Sequence, residues 1–388
     1  MKTISNVIIL SALIAALTSC SAFVVKPTET STPAATLNPT TTSTSTVTPM
    51  AQRSAIGIVF PDWDTVEPLL LQNMLQVAGY DVKKLSSPDD QTEQGNIEAL
   101  ISQKVKVIII SPRQSYSAST AAAVNEAHAA GVTVINYSRL ICNTKNVDYH
   151  VDADGKAVGK IWSNYFIQQA GDSKNNNLYL YAGNITDEGS FIFLEGAWET
   201  IKSKIADGTF VIKNSVLAES LAGNPVLTHD ELSKIIAEVN TQWDPEVAAA
   251  LAKQDLAAAK PPEKETAYIM APNDDTGRAI ADVFRADPSV KKYYLVGQDA
   301  VPGSIQYIID GKQSLTVFKD YRISLSEAAI AAVDIMEGRT PKTNGSNNNG
   351  VKDVPAIQIG VVAITKDNIQ SALIDSGIYQ PDEFTGLP

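Results

Sequence analysis

Polar and aromatic side chains follow the apolar, strand-like runs of this chain, and as a set they suit the binding of a neutral polyol. Hydroxyl groups need donors and acceptors at fixed positions, and charged side chains make the stronger bonds to them. An aromatic ring adds a flat surface for the C–H face of such a ligand. The residues of this kind that follow the runs are Trp63, Arg139, Asp187, Trp243, Asn273, Asp299 and Lys319.

Each of these residues alone has a simpler explanation, because Asp and Asn after a strand often only cap the next helix. Their recurrence after separate strands is the evidence for a site. In open α/β sheets ligands bind at the carboxyl ends of the strands, which is where these side chains are expected to lie.

The few cysteines and histidines argue against a metal centre or a nucleophilic enzyme. Two cysteines make neither a disulfide framework nor a Cys-rich zinc site. Cys142 follows an apolar run without a neighbouring histidine, which is typical of a structural thiol. Asp187 and Asp299 can imitate the carboxylate pair of a glycosidase, but the sequence supplies no nucleophile with its base. We expect a binding protein without metal or cofactor.

The composition also restricts the partners. The 388 residues carry 31 Lys and Arg against 43 Asp and Glu, a formal net charge of −12. Proteins that bind nucleic acid usually present a basic face, so no nucleic acid is expected. A hydrophobic content of 44% with 19% charged residues is enough for sizeable cores.

From Arg53 onward, apolar runs alternate with helical stretches. Strand-like runs at 55–60, 105–110 and 132–136 alternate with helical stretches, and the second half of the chain shows the same alternation. This alternation predicts parallel sheets with right-handed crossovers. About 335 residues of it exceed one ordinary open sheet, so we predict an α/β protein with two similar Rossmann-like lobes.

Two segments are expected to be additions to this pattern. In Leu227–Asn240, Thr228-x-x-Glu231 is a capping-box pattern that begins a run with apolar residues at helical spacing. We therefore expect an extra helix there. Asn344–Gly350 reads NGSNNNG and is expected to be a surface loop.

The N-terminus predicts export and attachment to a membrane. Residues 1–20 combine Lys2, an apolar stretch too short to span a bilayer, and Leu-Thr-Ser-Cys, which matches the bacterial lipoprotein box. Cys20 is then the lipidated residue; an ordinary secretory signal is the alternative. Residues 21–52 are rich in Ser, Thr and Pro and are expected to be a flexible tether. We expect the body to lie outside the cytoplasmic membrane.

Pieces of sequence from residue 78 to residue 369 follow one another in the order and at nearly the spacing of a known family. They are AGYDV (78–82), VKVIIISP (105–112), AAGVTVINYSRLI (129–141), GTFVIKNS (208–215), WDP (243–245), APNDDTGRAIA (271–281), VGQDA (296–300), GKQSLTVFKD (311–320) and VPAIQIGVVAITKDNI (354–369). With these pieces the chain resembles periplasmic monosaccharide-binding proteins of the ribose, galactose and xylose type. The xylose-binding and multiple-sugar-binding branch is the most similar.

The resemblance, which covers about 53–388, implies a type I periplasmic-binding-protein fold. Its two lobes are joined by three crossing strands, here expected near Val151–Ala153, Phe318–Lys319 and Val354–Ala356. The N-terminal lobe would comprise 53–153 and 320–353, and the C-terminal lobe 154–319 and 354–388. The family implication is a monomer that closes on a sugar and delivers it to an ABC permease; signalling to a receptor is the alternative.

The resemblance also implies roles for single residues of the first lobe and of the strand ends that face it. Arg139 matches the arginine that follows the sugar-binding acid of the first lobe. Asp187 falls where galactose- and xylose-type members have an acidic or amide ligand residue. Trp63 is the candidate for the stacking aromatic of the first lobe.

In the second lobe, Trp243 matches the aromatic residue that stacks on the sugar face. Asn273 matches the asparagine of the ND motif, and Asp299 the aspartate of the G-x-D-A motif. Lys319 occupies the amide-or-lysine position at the second crossing.

Several departures change the expected pocket. Ser138 stands where family members usually have Asp, which removes an acceptor for two hydroxyls. The first strand–helix turn is shorter and lacks its arginine, with Glu67 roughly in its place. Phe191 replaces a polar or basic residue, and Leu227–Asn240 lies just before Trp243. The ligand is therefore expected to be a monosaccharide or a similar small polar molecule, with a nucleoside or polyol as the alternative.

Overall fold

The structure is a computed structural model that describes residues 55–387. The expected signal peptide, Cys20 and the tether lie outside these residues. Within 55–387, no helix is long and apolar enough to cross a membrane.

The strands of the described range are short, and many of their residues are buried. In chain order they are β1 (Ile56–Pro61), β2 (Val82–Ser87), β3 (Val107–Ile110), β4 (Thr133–Tyr137), β5 (Tyr149–Ala153), β6 (Asn176–Leu180), β7 (Phe210–Ile212), β8 (Thr266–Met270), β9 (Lys292–Gln298), β10 (Leu315–Phe318), β11 (Gly345–Asn348), β12 (Asp353–Ile359) and β13 (Val362–Ile364).

Helices fill most of the connections between these strands. In chain order they are α1 (Glu67–Val77), α2 (Asp90–Ser102), α3 (Ala118–Ala129), α4 (Gly155–Ala170), α5 (Glu188–Ala206), α6 (Val216–Ser220), α7 (His229–Glu238), α8 (Pro245–Ala258), α9 (Pro261–Lys264), α10 (Asp274–Ala286), α11 (Pro302–Ile309) and α12 (Tyr321–Met336). A π-helical turn (Gln370–Ile374) and a 3₁₀ turn (Pro381–Glu383) follow near the C-terminus.

The strands form two sheets, one in each lobe. The first has the order β11-β12-β5-β4-β3-β1-β2, and the second β13-β10-β9-β8-β6-β7. Pairing is parallel except that β11 is antiparallel to β12 and β13 to β10. Residues of β1 and β3 are buried throughout, as expected of parallel strands covered on both faces. The predicted two-lobed α/β fold is confirmed.

Helices α4 and α5 pack against each other in the core of the second lobe. Trp162, Phe166 and Trp198 pack in it. A Cβ at Gly159 would lie 2.1 Å from the Phe193 carbonyl oxygen. Helices α4 and α5 approach so closely at this point that a side chain larger than glycine would clash, and the contact fixes α5 against α4.

The chain passes between the lobes three times. It leaves the first sheet after β5, returns between β10 and α12, and leaves again between β12 and β13. The third crossing is therefore at Gly360–Val361, later than the expected Val354–Ala356. Those residues instead belong to β12, which pairs with β5 in the first sheet, so 354–359 lie in the first lobe.

The two expected additions fold differently from each other. Helix α7 forms with Thr228 as its N-cap and a complete capping box with Glu231, as predicted. The Asn344–Gly350 segment is not a plain loop, because Gly345–Asn348 forms β11 and pairs with β12 at the edge of the first sheet. Its polar composition suits an edge strand with one solvated side.

Candidate functional site

A cavity of about 300 Å³ lies between the lobes, where strand ends from both sheets meet. Six of the seven residues expected at a binding site line it. They are Arg139, Asp187, Trp243, Asn273, Asp299 and Lys319.

Trp243 is held in place by an unusual local backbone. Gln242 and Trp243 both lie in the left-handed region, with φ of 57° and 62°, a conformation that is costly for bulky residues. A Cβ at Gly183 would lie 2.1 Å from the indole, so the ring rests directly on this glycine. The indole Nε1 is buried and has no hydrogen-bond partner within the described residues. The ring is thus positioned as a flat wall of the cavity.

Asp187 joins the lobes while it caps a helix. One carboxylate oxygen accepts a hydrogen bond from the Gly189 amide at 2.9 Å and so caps α5. The other accepts from Nε of Arg139, in the first lobe, at 2.8 Å. Nη1 of Arg139 donates to the carbonyls of Pro112 and Arg113. The pair is therefore fixed from both sides of the cleft.

Asp299 and Lys319 form a second charged pair, with 3.3 Å between Oδ1 and Nζ. Burial on its own lowers the pKa of Lys319, but the carboxylates of Asp299 and Asp152 raise it above its ordinary value. The ammonium group also lies 5.6 Å from the centroid of the Phe193 ring. Lys319 is a stable cation at neutral pH and can donate to a ligand hydroxyl.

Asn273 is fixed through its side-chain oxygen. This atom accepts from the Thr276 amide at 3.1 Å and from its hydroxyl at 2.6 Å, and so caps α10. Below it, Asp274 is fully buried and accepts bonds from Gln313 and Thr316. Burial and the nearby Asp299 raise the pKa of Asp274 to about 8.

The first lobe adds site residues that the sequence reasoning did not name. Asp152 and His150, from β5, line the cavity, as does Asn347 from β11. His150 Nε2 donates to the Ser138 carbonyl at 2.6 Å, and its Nδ1 accepts from Asn347 at 2.7 Å. Burial lowers the pKa of His150, so the ring is neutral. The signal in the sequence that could have identified them is the presence of two polar residues, His150 and Asp152, in the otherwise apolar strand β5.

Trp63 corrects the expectation of a stacking aromatic from the first lobe. Its side chain is 58% exposed and does not line the cavity. The Arg113 guanidinium lies 4.2 Å from its ring centroid, and Arg113 is itself paired with Asp62. The short turn after β1 places the indole on this cation at the surface.

Two further departures from the family pattern do not reach the central cavity either. Glu67 accepts a hydrogen bond from the Tyr137 hydroxyl, and burial raises the pKa of Glu67 to about 7. Phe191 stacks on His229, with ring centroids 4.2 Å apart. Cys142 is buried and free, as expected of a structural thiol.

Two parallel α/β lobes with a polar and aromatic cavity between them define a two-lobed binding protein. Residues 71–340 match the periplasmic binding protein domain model. The chain therefore belongs to this family, and the expected fold class and resemblance are confirmed.

The curated relatives span most of the chain. It is 29% identical over 351 residues to the multiple sugar-binding periplasmic receptor ChvE of Rhizobium radiobacter, covering 86% of this chain and 93% of the relative. It is 25% identical over 295 residues to the D-xylose-binding periplasmic protein of Escherichia coli K12, covering 76% and 80%. These relatives are binding proteins, which confirms a binding protein rather than an enzyme.

Solved structures give the same fold. A carbohydrate transporter solute-binding protein of Chloroflexus aurantiacus in complex with D-glucose is 48% identical, with a TM-score of 0.81, over 87% of this chain and all of that one. An ABC transporter solute-binding protein of Clostridium phytofermentans with bound β-D-glucose is 26% identical, with a TM-score of 0.72, over 85% and 99%.

Proposed function

We propose that this chain is an extracytoplasmic, lipid-anchored solute-binding protein that captures a hexose between its lobes and delivers it to an ABC importer. D-glucose is the first candidate, because the 48% identical structure contains it. The observation that carries the proposal is the meeting of Trp243 with two charged pairs in one cavity.

The cavity offers the groups that a pyranose requires. Asp152, Asp187 and Asp299 supply acceptors, and charge-assisted bonds to hydroxyls are stronger than neutral ones. Arg139 and Lys319 supply donors. Trp243 offers its ring to the C–H face of the sugar. A volume of about 300 Å³ is at the small end of ligand pockets, which suits one hexose.

Ligand binding would favour closure of the lobes. The cavity walls come from both lobes, so a sugar contacts all of them only when the lobes are shut. It then stabilises the closed state by the difference in its affinity for the two states. The Arg139–Asp187 ion pair already joins the lobes. The ligand therefore has to supply only part of the free energy that closes them.

Titration calorimetry of the purified full chain tests the ligand. We expect saturable binding of D-glucose, with weaker binding of D-xylose and D-galactose. Asp299→Ala, which removes a proposed acceptor, should weaken this binding by roughly tenfold. Binding of nucleosides or myo-inositol without binding of any hexose would overturn the proposal.

The anchor and the importer need separate tests. Cys20→Ser should move the exported protein from the detergent phase to the aqueous phase in Triton X-114 partitioning.

Deletion of the gene for this chain in its host should abolish uptake of labelled glucose at low concentration. Normal uptake with loss of a sugar-induced transcriptional response would favour a receptor role, as in the name of the Rhizobium relative, a multiple sugar-binding periplasmic receptor.

A further inference from the structure

A second and larger cavity, of about 780 Å³, adjoins the central one. The two share Gly155, Ile192 and Asn347 in their walls. A Cβ at Gly155 would lie 2.6 Å from Cγ2 of Ile192, so these two residues are in close contact where the cavities meet. We call the larger one the outer cavity. Both lobes line it, with Tyr116 on one side and Glu188 on the other.

One wall of the outer cavity is aromatic. The rings of Phe191 and His229 are stacked at an interplanar angle of 11°, and the Tyr116 ring lies 6.4 Å from each of them. The Tyr116 hydroxyl donates to Glu188 across the lobe interface and lies 3.5 Å from Nε2 of His229. Phe191 is buried, whereas His229 is exposed. The wall therefore presents a supported, planar ring to the cavity.

The additional segment that precedes Trp243 contributes part of this wall. Leu227, His229 and Leu232 of that segment line the outer cavity. The segment is well ordered by its own interactions, because Thr228 caps α7 and Leu232, Ile235 and Ile236 are buried against the lobe. The addition thus has a defined place, at the outer cavity rather than at the central one.

The opposite wall is polar and comes from the first sheet. Ser346, Asn347 and Asn348 of β11 line it, with Asp353 and Gln358 of β12. Strand β11 is the edge of the sheet, and an edge strand presents unpaired backbone donors and acceptors. Hydroxyl, amide and backbone groups opposite an aromatic ring form the combination that suits a sugar.

The two lysines of this surface are each paired with carboxylates. Lys156 contacts Glu195 and Glu199, and Lys160 contacts Glu199. With both cations already paired, the outer cavity offers no concentrated positive charge to a phosphate or another anion. A neutral, hydroxylated group fits it better.

We propose that the outer cavity binds the second unit of a disaccharide whose first unit occupies the central cavity. The inference rests on the proposed hexose function and widens its ligand class to glucosyl disaccharides. The first unit would contact Trp243 and the charged pairs. The glycosidic bond would pass over Gly155, and the second unit would lie between His229 and the edge strand β11.

Titration calorimetry on the full chain separates the two units. The probes are D-glucose and the disaccharides maltose, cellobiose, trehalose and sophorose. We expect at least one disaccharide to bind. His229→Ala and Asn348→Ala should each weaken that disaccharide by about tenfold and leave D-glucose within about twofold. Lys234→Ala is the matched control: it lies on the same helix, its side chain is 62% exposed, and it does not line the outer cavity.

The outcomes distinguish this inference from the proposed function. Binding of D-glucose without binding of any disaccharide would overturn the inference and leave the hexose function intact. Equal weakening of glucose and disaccharide by both variants would also overturn it, because the outer cavity would then act only through the fold. Absence of binding by all five sugars would overturn this inference and would exclude D-glucose as the ligand of the central cavity.

Discussion

The two walls of the central cavity are built by different means. In the second lobe, Asp187 and Asn273 are helix N-caps, and Trp243 directly precedes the cap Asp244. In the first lobe, His150 and Asp152 project from a strand and depend on their neighbours. His150, for example, is held by Ser138 and Asn347, which come from other parts of the sheet.

The difference shows where binding and stability coincide. A residue of the second wall that caps a helix contributes to folding even without ligand, because a lost cap costs about 0.5–2 kcal/mol. The position of a first-wall residue depends instead on how β4, β5 and β11 are aligned in the sheet. Variants of the two walls should therefore differ in how they divide their effects between affinity and melting temperature.

The largest effect is expected for Trp243→Ala. Loss of the ring removes the apolar wall and leaves a void above Gly183. We expect glucose affinity to fall by about thirtyfold, or roughly 2 kcal/mol, in titration calorimetry. Trp243→Phe keeps a ring and should recover most of the affinity. Unchanged affinity in the alanine variant would remove Trp243 from the site.

Asp299→Asn should have the next largest effect. The carboxylate is paired with Lys319, and an amide can neither hold this ion pair nor accept as strongly from a hydroxyl. We expect about a tenfold loss of affinity, or roughly 1.4 kcal/mol, with little change in melting temperature. Because Asp299 does not cap a helix, a large drop in stability with normal affinity would contradict its role.

Arg139→Ala tests the bridge between the walls. The variant leaves Asp187 as a helix cap but removes its partner in the first lobe. We expect about a fivefold loss of glucose affinity and a larger radius of gyration without ligand in small-angle scattering. A double-mutant cycle with Asp187→Asn measures the coupling. Purely additive effects would show that the bridge does not contribute to closure.

Three buried carboxyls should each lower the stability of the folded state as the pH rises from about 5 to about 8. Burial raises the pKa of Glu67 and of Glu188 to about 7, and of Asp274 to about 8. The folded state thus binds these protons more tightly than the unfolded state, whose carboxyls have ordinary pKa values. The stabilisation is complete below about pH 4.5 and is lost as the pH passes through 7 and 8.

Thermal unfolding measured from pH 4.5 to pH 8.5 tests this linkage. Each kcal/mol corresponds to a shift in melting temperature of about 2–4 °C for a lobe of this size. Glu67→Gln in the first lobe should flatten the curve near pH 7, because the amide oxygen still accepts from Tyr137. Asp274→Asn in the second lobe should flatten it near pH 8. A pH dependence that both variants leave unchanged would contradict the assignment.

The smallest effect is expected for Trp63→Ala. The indole lies at the surface on Arg113, outside the cavity. We expect less than about a twofold change in glucose affinity, since exposed cation–π contacts contribute only about 0.5–1 kcal/mol, and to stability rather than to binding. A large loss of affinity would show that the first lobe closes further than this structure does.

The sequence alone determined the alternation of strands and helices, the two lobes and most of the second wall. The reason is local. Asp187, Asn273 and the Trp243 segment stand between a strand and a helix, so their neighbours along the chain place them at the carboxyl edge of a sheet. The capping box at Thr228 likewise predicted helix α7 from four residues.

Only the tertiary structure decided the first wall and the outer cavity. Asp152, His150 and Asn347 meet because β12 inserts between β5 and β11, and that pairing joins residues almost two hundred positions apart. The third crossing lies later than predicted for the same reason. An apolar strand such as β12 could belong to either sheet until its pairing partners are known. Trp63 lies outside the cavity, with its ring against Arg113, which is 50 positions away in the sequence. Local spacing carries no information about such pairings, which depend on the packing of the whole chain.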